Sequence, residues 1–252
     1  MTAAPPSGDP LLVRLASTPS TMDVLHTLAE SGAPGGTAVV ADAQTAGRGS
    51  RGRTWSSPPG GLWLSVLARP KAAALELLSL RAGLAVAEAL EAAGLPRRLA
   101  LKWPNDLVLD DRKVGGILCE ARWIGASPAW VVVGLGLNVV NAVPPELAPV
   151  AARLADTWPA LTPAALVAPV LRALRAVDPG PGPLRPQEQL SFAKRDWLRG
   201  RPIEAPIAGI GAGFDTDGAL LVRAPDGTSA AVRSGTVVLA TPSTAAELDA
   251  CS

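Results

Sequence analysis

Between residues 99 and 139 four apolar runs follow one another, the first three across turns too short to hold a helix, and nothing else in the chain constrains its fold as much. The runs cover residues 99–103, 107–109, 114–120 and 130–139, and Pro104-Asn105 and Asp110-Asp111-Arg112 supply turn residues between the first three. A parallel pair needs a crossover of a dozen or more residues, so strands joined this closely pair antiparallel. Upstream, residues 37–41 and 62–68 read as two further strands on either side of a long polar segment, residues 44–61. Helices are expected after Ser20, which opens a Ser-x-x-Asp start closed by Gly32. They are also expected over residues 72–93, where Leu75, Leu78, Ala82, Ala85 and Ala89 share a face, and over residues 164–177. Residues 1–10 read as a loose tail. The expected class is α+β, a mixed and largely antiparallel sheet backed by helices.

A stretch of alternating proline and glycine, Asp178 to Pro183, cannot continue a helix and marks a boundary. Beyond it the pattern changes to short β runs, residues 203–210, 219–222 and 229–239, separated by Asp217-Gly218 and Asp226-Gly227 turns. This predicts a main domain over residues 1–184 and a small β domain over residues 185–252.

Composition narrows the chemistry. Among 252 residues, 48% are hydrophobic and 18% charged, enough to bury a full core. The formal net charge of +1 lacks the broad positive field of a general nucleic-acid or anionic-membrane binder, so any basic site is local. Cys119 and Cys251 are too few for a disulfide framework or a cysteine-rich zinc site, and they favour a reducing cytoplasm. His26 is the single histidine, which excludes paired-His metal sites and argues against triad hydrolysis. The first twenty residues lack the pattern of an export signal, and the longest nearly uncharged run, residues 130–143, is broken by Asn138 and Asn141, so no membrane span is expected. Only four of the 23 basic residues are lysines, Lys71, Lys102, Lys113 and Lys194, which makes each of them informative.

Three segments carry candidate chemistry. Gly47-Arg48-Gly49-Ser50-Arg51-Gly52-Arg53 packs three glycines and three arginines into seven residues. Glycines admit backbone N–H groups close to an anion and arginines offer bidentate donors, so the segment suits a phosphate or carboxylate cradle, or else a solvated arginine loop. It follows neither the Walker nor the dinucleotide spacing and leads into a strand. Next, Lys102-Trp103-Pro104-Asn105-Asp106 and Arg112-Lys113 with Gly115-Gly116 place two lysines beside backbone free of side chains. The alternatives are a solvated lysine at a hairpin end and plain turn chemistry at Asn105 and Asp106. Third, the run Val131 to Val139 carries Gly134, Gly136 and Asn138, as a buried strand does where another group comes close or where packing is tight.

In this order and at these separations the segments resemble the biotin protein ligase family: Gly-Arg-Gly-x-x-Gly-Arg-x-Trp, Lys-Trp-Pro-Asn-Asp with a lysine seven residues on, then Gly-x-Gly-x-Asn. The resemblance runs from Ser20 to Val139 and resumes at Leu198-Arg-Gly200-Arg201 and Ser234-Gly235-Thr-Val237, while residues 140–189 carry no family motif. It implies the α+β catalytic fold shared by biotin and lipoate ligases and similar to class II aminoacyl-tRNA synthetases, followed by a small SH3-like β barrel. It implies ATP-dependent formation of biotinyl-5′-AMP with release of pyrophosphate, then transfer of biotin to a lysine of a biotin carboxyl carrier domain of an acyl-CoA or acetyl-CoA carboxylase, with Mg²⁺ accompanying ATP.

By the same resemblance, Lys113 is the cation between carboxylate and α-phosphate, and Arg48 closes over both. Asp106 either accepts the proton of the incoming amine or serves only the turn. The biotin pocket is implied to comprise Ser20, Thr21, Met22, Gln44, Gly47, Arg48, Gly49, Ser50, Lys113, Gly115, Gly116 and Gly134, with Ser20 free to act as a helix cap as well. ATP is implied to meet Arg48, Arg51, Arg53, Trp55, Asn105, Lys113 and Asn138, Trp55 fitting a packing role too. No metal ligands are implied. Ser50 stands where many relatives carry a basic residue, so looser retention of the adenylate is expected. Ser20 lies near the start, which leads to the expectation of a ligase without a DNA-binding module, a monomer or weak homodimer that binds neither DNA nor membrane. Lipoate or octanoate ligases of the same superfamily and a noncatalytic biotin sensor are the competing readings.

Overall fold

The computed structural model describes residues 11–72 and 75–240. Nine of the expected runs become elements close to where the patterning puts them: α1 (Thr21–Glu30), β2 (Ala38–Gln44), β3 (Leu62–Ala68), α2 (Leu75–Ala92), β4 (Ala100–Lys102), β5 (Asp106–Leu109), β6 (Arg112–Ile124), β7 (Ser127–Leu137) and α3 (Pro163–Arg175). The expected tail, Cys251 and the residues just before α2 fall outside the described residues. Two elements were not expected. Strand β1 (Leu12–Thr18) is an edge strand whose Arg14, Ala16 and Ser17 face solvent, so it has no alternation to read. Helix α4 (Pro186–Ala193) is only eight residues long, and it packs against α2 and against β9 (Gly209–Phe214).

The main sheet has the order β1-β2-β3-β7-β6-β5-β4, parallel between β1 and β2 and antiparallel elsewhere. Helix α1 is the crossover that a parallel β1–β2 pair requires. Helix α2 carries the chain from β3 to the far edge at β4, and the β4–β5–β6–β7 meander then works back until β7 pairs with β3. Strands β3, β7 and β6 thus become the centre of the sheet, although β3 lies more than forty residues before β6 in the chain.

Each face of the sheet is covered differently. Helices α2 and α3 bury one face against Leu64, Val66, Val133, Leu135, Leu137 and Ile117. Helix α1 covers only part of the other, through Met22, Leu25 and Ala29 on Val39, Leu67 and Val132. Strand alternation decides what the rest of that face presents. On β7 the odd-numbered positions, Val131 through Leu137, point into the large core, and the even-numbered ones, Gly134 and Gly136, lie on the α1 side with no side chain. A floor without side chains is therefore left uncovered beside α1.

The second sheet is antiparallel, with order β11-β10-β9-β8-β12, formed by β8 (Pro202–Ala205), β9, β10 (Leu220–Arg223), β11 (Ser229–Val232) and β12 (Val238–Leu239). Among the described residues its backbone ladder is open, with β11 and β12 as its edges. Run 203–210 divides around Pro206, which has no N–H for a ladder, and run 229–239 divides around Gly235 at φ +146. Gly218 and Gly227 take the positive φ that the two Asp-Gly turns need.

Two contacts tie this sheet to the first. The outer edge of β4 is closed by residues 195–197, with the Leu101 N–H donating to the Arg195 carbonyl at 2.7 Å. The Trp103 indole N–H donates to the Gly218 carbonyl at 3.0 Å. The proline-glycine stretch is pinned too, since buried Arg81 of α2 donates to the carbonyls of Gly180, Gly182 and Pro183 and pairs with Glu188 at 3.1 Å. Among the described residues no helix is long and apolar enough to cross a membrane.

Candidate active site

The uncovered floor is the bottom of a cavity of about 330 Å³. Register places Gly134 between Ser65 of β3 and Leu118 of β6, and Gly136 beside Gly116. A Cβ on Gly134 would lie 2.7 Å from Met22 Sδ, and one on Gly136 would lie 2.5 Å from Trp55 Nε1. The two glycines are what allow Met22 and Trp55 to lie against the sheet.

One end of the cavity is polar and closed. The start of α1 enters it with Ser20 as N-cap, its hydroxyl accepting from Met22 N at 3.3 Å. Thr21 Oγ1 lies 2.7 Å from Ser65 Oγ, and Gln44 Oε1 accepts from Thr21 N and Thr21 Oγ1 at 2.9 and 3.1 Å. Gln44 Nε2 then donates to Ser57 Oγ at 2.8 Å. This chain of hydroxyls and an amide is buried against an otherwise apolar sheet, and each member holds the next in place.

The glycine-arginine segment forms the roof. It folds back on itself, with Arg48 bridged to Thr54 and Gln44 to Ser57, and its tip carries Arg51 at φ 61 and Gly52 at φ 72. A Cβ on Gly47 would fall 2.4 Å from the Trp55 carbonyl oxygen, so glycine is needed there for the two arms to meet. Arg53 turns back on Ser50, donating to its Oγ at 2.9 Å. Arg48 lines the cavity and is met by Asp23 and Glu120. Burial lowers the Arg48 pKa, but the hydrogen bonds and charges of those carboxylates outweigh it and hold the guanidinium above its ordinary value.

Opposite the polar end, Lys113 at the start of β6 projects over the floor. Its Nζ is 2.5 Å from Asp106 Oδ1 and 5.0 Å above the Trp55 ring. Its backbone is clamped by residues 150–152, with N donating to the Val150 carbonyl at 2.8 Å. The segment running from Ala142 to Ala151 supplies an apolar wall beside buried Asn138 and Asn141, whose amides bond to each other at 3.2 Å.

A second cavity of about 240 Å³ adjoins the first and lies against residues 235–237 of the second sheet. Arg51, Arg53, Lys102 and Asp106 line it, and Arg51 Nη1 donates to Thr236 Oγ1 at 2.6 Å. Burial pushes the Lys102 ammonium below the ordinary lysine range; Asp106 opposes this while Lys113 and Arg53 reinforce it. A lysine held this way gains from an anion placed beside it.

Most of the residues singled out from the sequence meet at this place. Ser20, Thr21, Met22, Gln44 and Gly134 line the closed end; Arg48, Gly49, Ser50, Arg53 and Trp55 the roof; Asn105, Lys113, Gly116 and Asn138 the opposite side. Four do not line the larger cavity. Gly115 faces the core, where a Cβ would sit 2.8 Å from the Gly136 carbonyl oxygen, because strand alternation turns it away from Gly116. Gly47 is enclosed by the loop itself, and Arg51 and Asp106 open on the second cavity. The patterning missed Asp23, Ser65, Asn141, Glu120 and His26. Ser65 left a signal as the one polar residue in the run 62–68, and His26 and Asn141 stood out in the sequence without a role in a site being assigned to them.

The profile described as the Biotin/lipoate A/B protein ligase family matches residues 15–138. A biotin--[acetyl-CoA-carboxylase] ligase of Paracoccus denitrificans is 38% identical over 214 residues, 78% of this chain and 88% of that protein. The bifunctional ligase/repressor BirA of Bacillus subtilis (strain 168) is 40% identical over 144 residues, 54% of this chain, and the match spans only 44% of that longer relative. Among solved structures, a biotin protein ligase from Aquifex aeolicus in complex with biotin and ATP superposes with a TM-score of 0.75 at 28% identity, covering 91% of this chain and 98% of that one.

Proposed function

The chain belongs to the biotin protein ligase family, and from that premise we propose that it activates biotin with ATP and passes the biotinyl group to a carrier lysine. The observation that carries this reading is one cavity with a chain of hydrogen-bonding groups at its closed end, the Lys113 cation at the other across a floor of glycines, and the Arg48 cation in the roof. The ureido ring of biotin offers N–H donors and a carbonyl acceptor, which the Ser65, Thr21 and Gln44 groups complement. The dithiolane ring of lipoate offers neither, so burying it there would use none of the hydrogen-bonding capacity these groups retain beyond the bonds they make to one another.

In the first step a biotin carboxylate oxygen attacks the α-phosphorus of ATP, and pyrophosphate leaves. Two anions must approach, and the Lys113 ammonium between them lowers that cost, with the Arg48 guanidinium as a second source of positive charge. Asp106 holds the ammonium in place. The second cavity, with Arg51, Arg53 and Lys102, suits the β- and γ-phosphates, and Mg²⁺ enters with ATP as part of the substrate complex. The apolar wall of residues 142–151 suits the adenine, and Asn138 and Asn141 line the same side of the cavity.

In the second step the carrier lysine amine attacks the acyl carbon, and AMP leaves. Asp106, once Lys113 has turned to the phosphate, is placed to take the amine proton. The partner is a biotin carboxyl carrier domain of a carboxylase, and the second sheet, adjoining the phosphate end, forms part of the surface that grips ATP or the carrier.

The test is biotin-dependent exchange of labelled pyrophosphate into ATP by the purified protein, with lipoate as the control acid. Exchange with biotin and none with lipoate is expected. Exchange with lipoate alone, or with neither acid, would overturn the assignment.

A further inference from the structure

Arg48 is held by a set of groups that the activation chemistry does not use. Its Nε donates to Glu120 Oε1 and its Nη2 to Glu120 Oε2, both at 3.2 Å, a fork-on-fork contact that fixes the plane of the guanidinium. Its Nη1 donates to Asp23 Oδ1 at 2.5 Å. Glu120 is in turn held from behind, with Oε2 3.1 Å from His26 Nε2, and Trp130 Nε1 lies 2.9 Å from His26 Nδ1. An indole N–H can only donate, so Nδ1 accepts, and the proton on Nε2 points at Glu120. Donors from both sides therefore converge on the Glu120 carboxylate, Trp130 through His26 on one side and Arg48, which lines the cavity, on the other.

The groups that meet Arg48 on its two sides differ in burial. The His26 side chain is 6% exposed and that of Glu120 25%, whereas that of Asp23 is 54% exposed. The buried end is fixed by packing and by two further hydrogen bonds, and the Asp23 end is in contact with solvent. The residues that hold Arg48 come from three separate elements, α1, β6 and β7, and Arg48 itself from the loop after β2, so the arrangement exists only once α1 lies on the sheet.

Resting on the proposed biotin activation, we infer that Glu120, keyed by His26, is the positioning residue of Arg48, and that Asp23 stands in for the substrate anion. Glu120 keeps the guanidinium oriented before substrate arrives, so the arginine is not ordered at the expense of binding. Asp23 occupies the Nη1 edge, and an incoming carboxylate or phosphate displaces it. The exchange swaps one charged acceptor for another while the fork on Glu120 stays made.

The two carboxylates thus have opposite effects. Removing the Asp23 charge removes a competitor, and removing the Glu120 charge removes the orientation. The experiment measures KM for biotin and kcat in pyrophosphate exchange for the wild type, Asp23→Asn, Glu120→Gln, His26→Phe and the His26→Phe/Glu120→Gln pair, with thermal melting of each. Glu120→Gln is expected to raise KM for biotin about tenfold, the size of one lost charge-assisted hydrogen bond, with a smaller change in kcat. Asp23→Asn should lower that KM, and the pair should be no worse than Glu120→Gln alone, as coupled groups in one series require.

An unchanged KM in a folded Glu120→Gln protein, or a raised KM in Asp23→Asn, would overturn the inference while leaving the ligase reading intact. Asp23 is at the rim, so its variant folds and its sign decides the matter even if a buried variant does not. Absence of exchange in the wild type would overturn both.

Discussion

Lys113 is the side chain on which activity should depend most, because it carries its charge over the glycine floor, paired with Asp106, which opens on the second cavity. Lys113→Ala should lower biotin-dependent pyrophosphate exchange by about a hundredfold or more, the usual size of losing one preorganised electrostatic contact. Melting should change little, since the Lys113 and Asp106 side chains are both in contact with solvent. Gly136 is the complementary case, where adding one methyl group matters. Gly136→Ala puts carbon against the Trp55 indole, so Trp55 must shift and Lys113 loses the ring beneath it. The expected result is a higher KM for biotin with about 1–3 kcal/mol of lost stability in urea titration, the usual cost of overpacking. Lys113 and Arg48 could be picked out of the sequence because short motifs surround them. The pairing of Glu120 with Arg48 and with His26 could not, because Arg48 and Glu120 are 72 residues apart and His26 and Glu120 are 94 apart. No local pattern marks a carboxylate whose partner lies on a distant element.

Among the elements, α1 joins stability to the site most directly. Its N-cap Ser20 holds Met22 N, and both residues line the cavity. Ser20→Ala should cost about 1 kcal/mol in urea unfolding, and Ser20→Gly only a few tenths, if capping is what the hydroxyl supplies. The β6–β7 hairpin shows how far patterning reaches. Its apolar alternation and its glycines read directly as a strand with one side-chain-free face, and the pairing of Gly116 with Gly136 follows from the hairpin. Strand β1 shows the limit. It owes its extended form to pairing with β2, Leu12 opposite Ala38, and its own exposed residues carry no period of two.

Across the whole molecule, the junction between the two sheets carries a measurable electrostatic cost. The Asp196 side chain is 0% exposed; its Oδ1 accepts from Leu198 N at 2.9 Å, and its Oδ2 makes no hydrogen bond among the described residues. Burial holds this carboxyl above the usual aspartate range, outweighing the Leu198 and Arg199 N–H groups and the Arg199 charge. Between the ordinary and the raised value the folded chain keeps a proton that the unfolded chain has released. Stability from this group is present below the ordinary aspartate pKa and is lost as pH rises through the raised value. Asp196→Asn removes the titration, so mutant stability relative to wild type should increase between about pH 3.5 and pH 7. Thermal melts at both ends of that range check it, and a constant or shrinking difference would exclude the buried charge as the cause.

The sequence by itself determined the antiparallel meander, the glycine floor, the helix that Ser20 opens and the identity of the cations. All of these rest on relationships a few residues long, which alternation, capping and turn chemistry encode. Only the tertiary structure decided that β7 returns to β3, that Thr21, Gln44 and Ser65 form one buried chain, and that Asp23 and Glu120 face Arg48. Those contacts depend on the order of strands in the sheet and on which face each side chain occupies. Both are set by the packing of distant segments against a shared core, where a shift of one residue in register would turn every group to the other side.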